Sequence, residues 1–395
     1  MMLIMEGLVR RERKDHLGNV VSLADLGYTD VGLDDTWQRC NSPDAADGMH
    51  YHDVYGNPVV NHDRFPSLST MTQYARDLNL TAGWYANNCA CSDHCRNRTE
   101  CDLQISGDVK ALIKYGFSSL KIDGCGNQTD LQVWNKYLEL FTMGSSPILV
   151  ENCHGGNPNF KPNRTLPPAE GCPYHMYRTS SDIHNHYPSI MQNLRSVETY
   201  RQSNSSYPGC WAYADMIFVG IGDGLSFEET RSHFGGWAIV SSPLILSHDV
   251  NDDSVTNRIW DIISNREVLE VNQAYFGDSG GVYDTSNETI TLQHGRYKVV
   301  VPVFQYLSKP LGLNKVAVLL MNSDEVDREL NITFADVPGL DGGPDGTTEY
   351  SVRCLWAHQD KGTYQKSFRV VVNSHDALFF LVEKKQRNLP SMRID

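Results

Sequence analysis

In the first two-thirds of the chain, short runs of β-branched and aromatic residues alternate with longer stretches whose apolar positions recur three or four residues apart. The short runs are 29–35, 81–87, 118–124, 147–152, 176–182, 212–220 and 244–249. The longer stretches include 67–80, 106–116, 130–141, 187–202 and 227–242. Strand–helix alternation predicts a parallel sheet, and seven such strands point to a (β/α) barrel. Beyond about Gly280 the period changes to two. The runs 289–295, 297–307, 315–323, 328–334, 349–357 and 368–382 read as an antiparallel β-sandwich. The expected division is therefore a barrel domain over 1–278 and a sandwich domain over 279–395.

Charged residues stand where the barrel strands should end. Residues two apart on a strand share a face, so Lys121 and Asp123 point the same way as the chain leaves the third strand. For a single Lys-x-Asp the plain reading is an ion pair that closes the strand end. The other strands carry polar residues at the matching place: Asp34 and Asp35, Tyr85, Glu151, Arg178 and Asp182, and Asp215. In a parallel barrel such ends meet at one mouth, where barrel enzymes carry their chemistry. Six acids, a lysine and an arginine in register are hard to explain as separate caps. Carboxylates accept hydrogen bonds from hydroxyl groups and cations donate them, so the ring suits a polyhydroxylated ligand. A metal centre is the competitor. No histidine pair stands at the strand ends, and His154, His184 and His186 fall in loops, which argues against zinc.

Composition narrows the classes. The chain has 395 residues and a formal net charge of −14, which excludes nucleic acid or an anionic membrane surface as the expected partner. No apolar run is long enough to cross a membrane. Ten cysteines are many for a reducing compartment, and five of them, Cys89, Cys91, Cys95, Cys101 and Cys125, fall close together. Their spacing matches no common zinc pattern. Seven Asn-x-Ser/Thr triplets, at Asn79, Asn97, Asn127, Asn163, Asn204, Asn287 and Asn331, favour disulfides and a secretory route to a lysosome, a vacuole or the outside. The opening MMLIMEGLVRRERK has too short an apolar run for a signal peptide, with its charges on the wrong side.

The segments GYTDVGLDDTWQ (27–38), GWYANN (83–88), LKIDGCG (120–126), RTSSDI (178–183), CWAYADMIFVG (210–220) and RSHFGGWAIVSSPLILSHDV (231–250) resemble glycoside hydrolase family 27, the α-galactosidase and α-N-acetylgalactosaminidase family. The resemblance runs from about Leu26 to Ala274 and is closest in character to a divergent eukaryotic branch. It implies a TIM-type (β/α)8 barrel followed by an antiparallel sandwich. It also implies retaining hydrolysis of terminal α-galactosides, with Asp123 as nucleophile and Asp182 as general acid/base. Asp34, Asp35, Lys121, Glu151, Arg178 and Asp215 would hold the sugar, and Tyr85 would line the mouth. The partner would be a carbohydrate, with no cofactor and no metal, and a homodimer is compatible with the family. Lys121 beside Asp123 would favour the ionised nucleophile, and the charge of Asp123 would favour a protonated Asp182. A carboxylate at Glu151 would fill the space beside the sugar's 2-hydroxyl and select galactose.

The family pattern also implies cysteine pairings. Cys125 would pair with Cys89 or Cys91, and Cys153 with Cys172 is a further candidate bridge. Cys354 would be a buried free thiol. The family's usual Asp-Asp-Cys-Trp is Asp34-Asp35-Thr36-Trp37 here, so no first-loop bridge is expected. Nothing near the start resembles the family's opening strand. The first barrel strand is therefore expected to be missing, along with any signal peptide, and residues 1–8 to be at best a short irregular filler. Two function classes follow. One is an exo-glycosidase for α-galactosides, with α-N-acetylgalactosaminidase and β-L-arabinopyranosidase as competitors. The other is a truncated, non-catalytic sugar-binding protein. The presence of both Asp123 and Asp182 favours the enzyme.

Overall fold

The computed structural model describes residues 1–45, 51–87, 89–91, 95–143, 147–153, 163, 165, 171–219, 224–341 and 347–385. They fall into two compact units. The first comprises Met1–Ile183, Gln202–Met216 and Ile245–Arg258, and the second His184–Arg201, Ile217–Leu244 and Ile259–Asp395.

The first unit is built on a six-stranded parallel sheet in chain order: β1 (Asp30–Gly32), β2 (Thr81–Ala86), β3 (Ser119–Asp123), β4 (Leu149–Cys153), β5 (Met176–Arg178) and β6 (Trp211–Tyr213). Strands covered on both faces read as continuous apolar runs, and β2 is buried at every position after Thr81. Its helices are α1 (Met2–Val9), α2 (Leu68–Asp77), α3 (Arg98–Tyr115) and α4 (Leu131–Thr142). Ser67 caps α2 by accepting from the Thr70 N–H at 3.2 Å, and Leu68, Met71, Thr72 and Ala75 form its buried face. Asn97 caps α3, which ends at Gly116 in a left-handed conformation of φ 79°. Asp130 caps α4, which buries Leu131, Trp134 and Leu138. Each helix carries the chain back, so the carboxyl ends of β1 to β6 all face one way.

Two expectations about this unit fail. The run 244–249 joins no ladder of the sheet and keeps a single bridge residue, Leu246. Its polar groups are turned to local use instead. Asp249 accepts from the Asn251 N–H at 3.0 Å, and buried His248 lies 3.3 Å from the Thr256 hydroxyl. The start of the chain is the helix α1 and not an irregular filler, and among the described residues β1 stays at the edge of the sheet with no strand on its far side, as expected. Helix α1 buries Met5, Gly7 and Leu8, and Asn251 donates to its Leu3 carbonyl at 3.0 Å. An added Cβ at Gly7 would meet Val250 and Asn251 within 2.8 Å, so the close approach requires glycine there.

The second unit holds α5 (Tyr187–Ser196), α6 (Glu198–Gln202, starting in this unit), α7 (Phe227–Ile239), the end of α8 (Asp253–Ile263) and α9 (Arg266–Gln273). Ten antiparallel strands follow: β7 (Gly281–Thr285), β8 (Thr289–His294), β9 (Tyr297–Pro302), β10 (Phe304–Gly312), β11 (Lys315–Asn322), β12 (Arg328–Thr333), β13 (Tyr350–Cys354), β14 (Gln359–Tyr364), β15 (Ser367–Val372) and β16 (Ala377–Lys384). One sheet runs β14-β13-β16-β11-β10-β7, and β12-β15 and β8-β9 pair separately. The core between the large sheet and β12-β15 contains Val316, Val318, Leu320, Leu330, Ile332, Phe368, Phe380 and Val382. Central β11 is buried on its other face too: a Cβ on Gly235 of α7 would lie 3.2 Å from Leu319. That is why its sequence is an unbroken apolar run. Lys309 of β10 is fully buried and caps α9, donating to the carbonyls of Val271 and Asn272 at 2.6 and 2.9 Å.

Candidate active site

The residues expected to form the site stand at the carboxyl ends of β1 to β6, and all belong to the first unit. Asp123 ends β3. Its Oδ2 accepts from the Tyr85 hydroxyl at 2.8 Å, and its Oδ1 accepts from the Gly124 N–H at 2.6 Å. Burial and the Asp123 charge push the Tyr85 phenol far up, so it donates and does not ionise. Parallel register sets Tyr85 beside Lys121 and Lys121 beside Glu151.

Lys121 does not turn to Asp123. Its ammonium donates to Asp34 Oδ2 at 2.8 Å and lies 5.4 Å from the centre of the Tyr85 ring. Burial pulls the Lys121 pKa down, but the Glu151 and Asp34 carboxylates outweigh it and hold the cation. Asp35 accepts from the Ala90 N–H at 2.8 Å and from the Thr36 N–H at 2.6 Å. Thr36 stands at φ 75°, an outlier for a β-branched residue, with the Arg64 guanidinium donating to its carbonyl and hydroxyl. Polar contacts thus fix the first loop at Thr36.

Two strands along the same sheet from Lys121, Arg178 bridges two acids. Its guanidinium lies 2.7 Å from Asp182, whose side chain is exposed, and 3.5 Å from buried Asp215. Asp215 takes φ 88°, a strained conformation fixed by the Ile183 and Met216 N–H groups donating to its carboxylate at 2.9 and 2.8 Å. Burial raises the Asp215 pKa, and Arg178 offsets part of that rise. Glu151 is buried. Desolvation pushes it up to about 7 against the pull of Lys121 and Arg178. Cys153, two residues further along the same face of β4, is a buried free thiol. Burial and Glu151 push it well above its ordinary range.

The cysteine pattern settles one open choice and corrects two expectations. Of the two partners left open for Cys125, Cys89 is the one: Cys89–Cys125 has Cα atoms 4.8 Å apart. Cys91 pairs instead with Cys40, so the first loop is bridged after all, by a cysteine three residues beyond Trp37. Cys153 does not pair with Cys172. Cys172 pairs with Cys210 at the start of β6, because β5 and β6 are adjacent and their entries lie side by side, while Cys153 sits at the exit of β4. Cys95–Cys101 is the fourth bridge, and Cys354 is free and buried as expected.

The sequence reading passed over several supporting residues. Asn87 donates to the Asp123 carbonyl and accepts from the Gln128 N–H at 3.3 Å. The Trp37 indole donates to the Tyr85 carbonyl at 2.9 Å. Both lie inside the motifs that carry the resemblance, which was the available signal. Of the loop histidines, His154 lies outside the described residues. His186 caps α5, and its ring stacks on His294 in the second unit.

Comparison with known proteins agrees with this arrangement. Residues 11–274 match the family "Alpha galactosidase A", and residues 303–382 match the alpha galactosidase C-terminal beta sandwich domain. Alpha-galactosidase of Oryza sativa subsp. japonica is 29% identical over 380 residues, which cover 94% of this chain and 79% of the rice protein. Alpha-galactosidase I from Mortierella vinacea superposes with a TM-score of 0.72 at 21% identity, covering 96% of this chain and 91% of that one. The Saccharomyces cerevisiae enzyme solved with raffinose gives 0.73 at 17% identity, covering 92% and 91%. At these identities the two structures show a shared fold: a TIM-type (β/α) barrel followed by an antiparallel sandwich. With acids gathered at the carboxyl ends of its parallel strands and two-thirds of its length matching one family, the chain belongs to the alpha galactosidase A family of glycoside hydrolases.

Proposed function

We propose that the protein removes terminal α-D-galactosyl residues from oligosaccharides or glycoconjugates with retention of configuration. The supporting observation is the Asp123 carboxylate at the end of β3, oriented by Tyr85 and Gly124, in a mouth that also carries Asp182 on Arg178. Asp123 attacks the anomeric carbon while Asp182 gives a proton to the departing oxygen. Water then attacks the galactosyl-enzyme as Asp182 takes a proton back. Asp34, Asp35, Lys121, Arg178 and Asp215 hold the sugar hydroxyls, and Tyr85 lines the mouth beside them. Glu151 fills the space beside the 2-hydroxyl, which favours galactose over its N-acetylated analogue. The sugar enters as a carbohydrate end group, with no cofactor required.

The same reading takes 1–278 as the catalytic domain and 279–395 as the sandwich domain. Four disulfides support passage through an oxidising compartment.

The test is an assay against nitrophenyl α-galactoside, α-N-acetylgalactosaminide and β-L-arabinopyranoside, with the first sugar released followed by NMR. The α-galactoside should be preferred, and the α anomer should appear first. Asp123→Asn should abolish turnover. Asp182→Asn should lose about 10²–10⁴-fold, the usual worth of a general acid, and recover partly with azide or an activated leaving group. Early release of the β anomer would overturn retention, and full activity in Asp123→Asn would overturn the assignment of the nucleophile.

A further inference from the structure

The four disulfides differ in exposure. Cys40–Cys91, Cys95–Cys101 and Cys172–Cys210 each contain at least one buried cysteine, whereas both residues of Cys89–Cys125 are exposed. Thiol–disulfide exchange needs access to sulfur, so this bridge is the first that a reductant meets. It is also set against the nucleophile. Cys125 Sγ lies 3.6 Å from Asp123 Oδ1, and one ligand atom each from Cys89, Asp123 and Cys125 lie within 4.8 Å of one another.

We infer that reduction of Cys89–Cys125 turns this corner into a binding site for a thiophilic divalent cation, of which zinc is the type, and that the bound ion blocks catalysis by taking Asp123 as a ligand. The inhibitory half rests on Asp123 being the nucleophile. The binding half does not.

The chemistry balances with a dithiol as reductant. One thiolate of the dithiol attacks a bridge sulfur and the S–S bond breaks through a mixed disulfide. The second thiolate then releases the dithiol as its own cyclic disulfide. Cys89 and Cys125 together gain two electrons and two protons. Zinc binds both sulfurs as thiolates, sends those two protons to solvent, and takes one Asp123 oxygen as its third ligand. A tetrahedral zinc with bonds of about 2.3 Å to sulfur and about 2.1 Å to oxygen holds the two about 3.6 Å apart. Cys125 and Asp123 already stand at that separation. The two sulfurs, once unbonded, need only side-chain rotation to open to a similar span. The fourth position is left to water, and a carboxylate oxygen held by zinc is withdrawn from attack.

The experiment uses the full chain with its bridges formed. Brief treatment with dithiothreitol, removal of the reagent by gel filtration under argon, and peptide mapping establish which bridge has opened. Zinc chloride is then titrated in competition with a chromophoric chelator, while hydrolysis of nitrophenyl α-galactoside is followed in parallel. The oxidised chain should take up no zinc at this corner and keep its rate. The reduced chain should bind one zinc and lose about tenfold or more of its rate, regained on adding EDTA. Cys89→Ser/Cys125→Ser should take up none after the same treatment, with circular dichroism confirming its fold and single Cys125→Ser as the milder variant. Asp123→Asn should bind zinc about tenfold or more weakly. Cys153→Ser should bind zinc as the parent does. Equal zinc uptake by the oxidised chain or by the serine variants, or loss of uptake in Cys153→Ser, overturns the site. Uptake with no loss of rate overturns the blockade. A chain with no activity at the outset refutes the galactosidase reading, while zinc uptake still decides the site.

Discussion

Glu151 is 8% exposed and faces two cations, yet desolvation outweighs both and lifts its carboxyl from an ordinary 4.5 to about 7. The folded chain therefore keeps a proton that the unfolded chain has lost between those two values. Stability is full below about pH 4.5 and falls as pH rises through 7, by at most about 3 kcal/mol for a shift of this size. Asp376, pushed up to about 6 by burial against its Arg231 partner, adds a slope of the same sign. Comparison with Glu151→Gln isolates the first contribution. Thermal unfolding followed from pH 4.5 to 7.5 should show the parent midpoint falling faster than the variant's, and parallel curves would refute the assignment. Residue identity at the mouth was legible because chemically demanding side chains recur at strand ends. Partnership was not. Lys121 shares a face with Asp123, but its four-carbon stem reaches Asp34 two strands away, and nothing in a local i, i+2 pattern measures that reach.

Elements show the same division between order and contact. The order of the parallel strands follows from alternation, but their lengths do not. The expected strands 176–182 and 212–220 shrink to β5 and β6 of three residues each, since the chain beyond them turns so that the Ile183 and Met216 N–H groups donate to the Asp215 carboxylate. Cysteine pairing was the least legible, because spacing along a chain does not encode which strand entries become neighbours. Cys172–Cys210 links the entries of β5 and β6 across a sequence separation of 38, and it has no counterpart in the expected scheme. Closing a loop of that size is worth about 4 kcal/mol in the chain-entropy account, lowered by any residual structure in the unfolded chain. Cys172→Ser/Cys210→Ser should therefore lower the unfolding free energy obtained by urea titration by an amount in that range, while Cys153→Ser, which breaks no bridge, should change it far less. A larger loss from Cys153→Ser than from the double variant would show that the covalent tie is not what holds β5 against β6.

For the molecule as a whole, the seven Asn-x-Ser/Thr triplets can be sorted by where folding leaves them. Asn79, Asn97, Asn127, Asn163, Asn204 and Asn287 are exposed. Asn97 already uses its side-chain oxygen to cap α3, accepting from the Glu100 N–H at 3.0 Å, but a glycan is carried on the amide nitrogen and leaves that oxygen in place. Asn331 differs. It sits half-buried in β12, opposite Arg369, with its Oδ1 buried and its amide donating to Thr333 at 3.2 Å. A bulky polar glycan there would have to leave the strand surface through packed neighbours, so chains modified at Asn331 should be selected against during folding. Produced in a eukaryotic secretory host, the soluble protein should carry glycans at some or all of the six exposed asparagines and none at Asn331. Enzymatic deglycosylation followed by peptide mass spectrometry reads this directly, since each released site becomes aspartate and gains about one mass unit. Secreted, soluble protein fully modified at Asn331 would contradict the placement of β12. Complete absence of glycans at the other six would remove the sequons as support for a secretory route and leave the four disulfides to carry it alone.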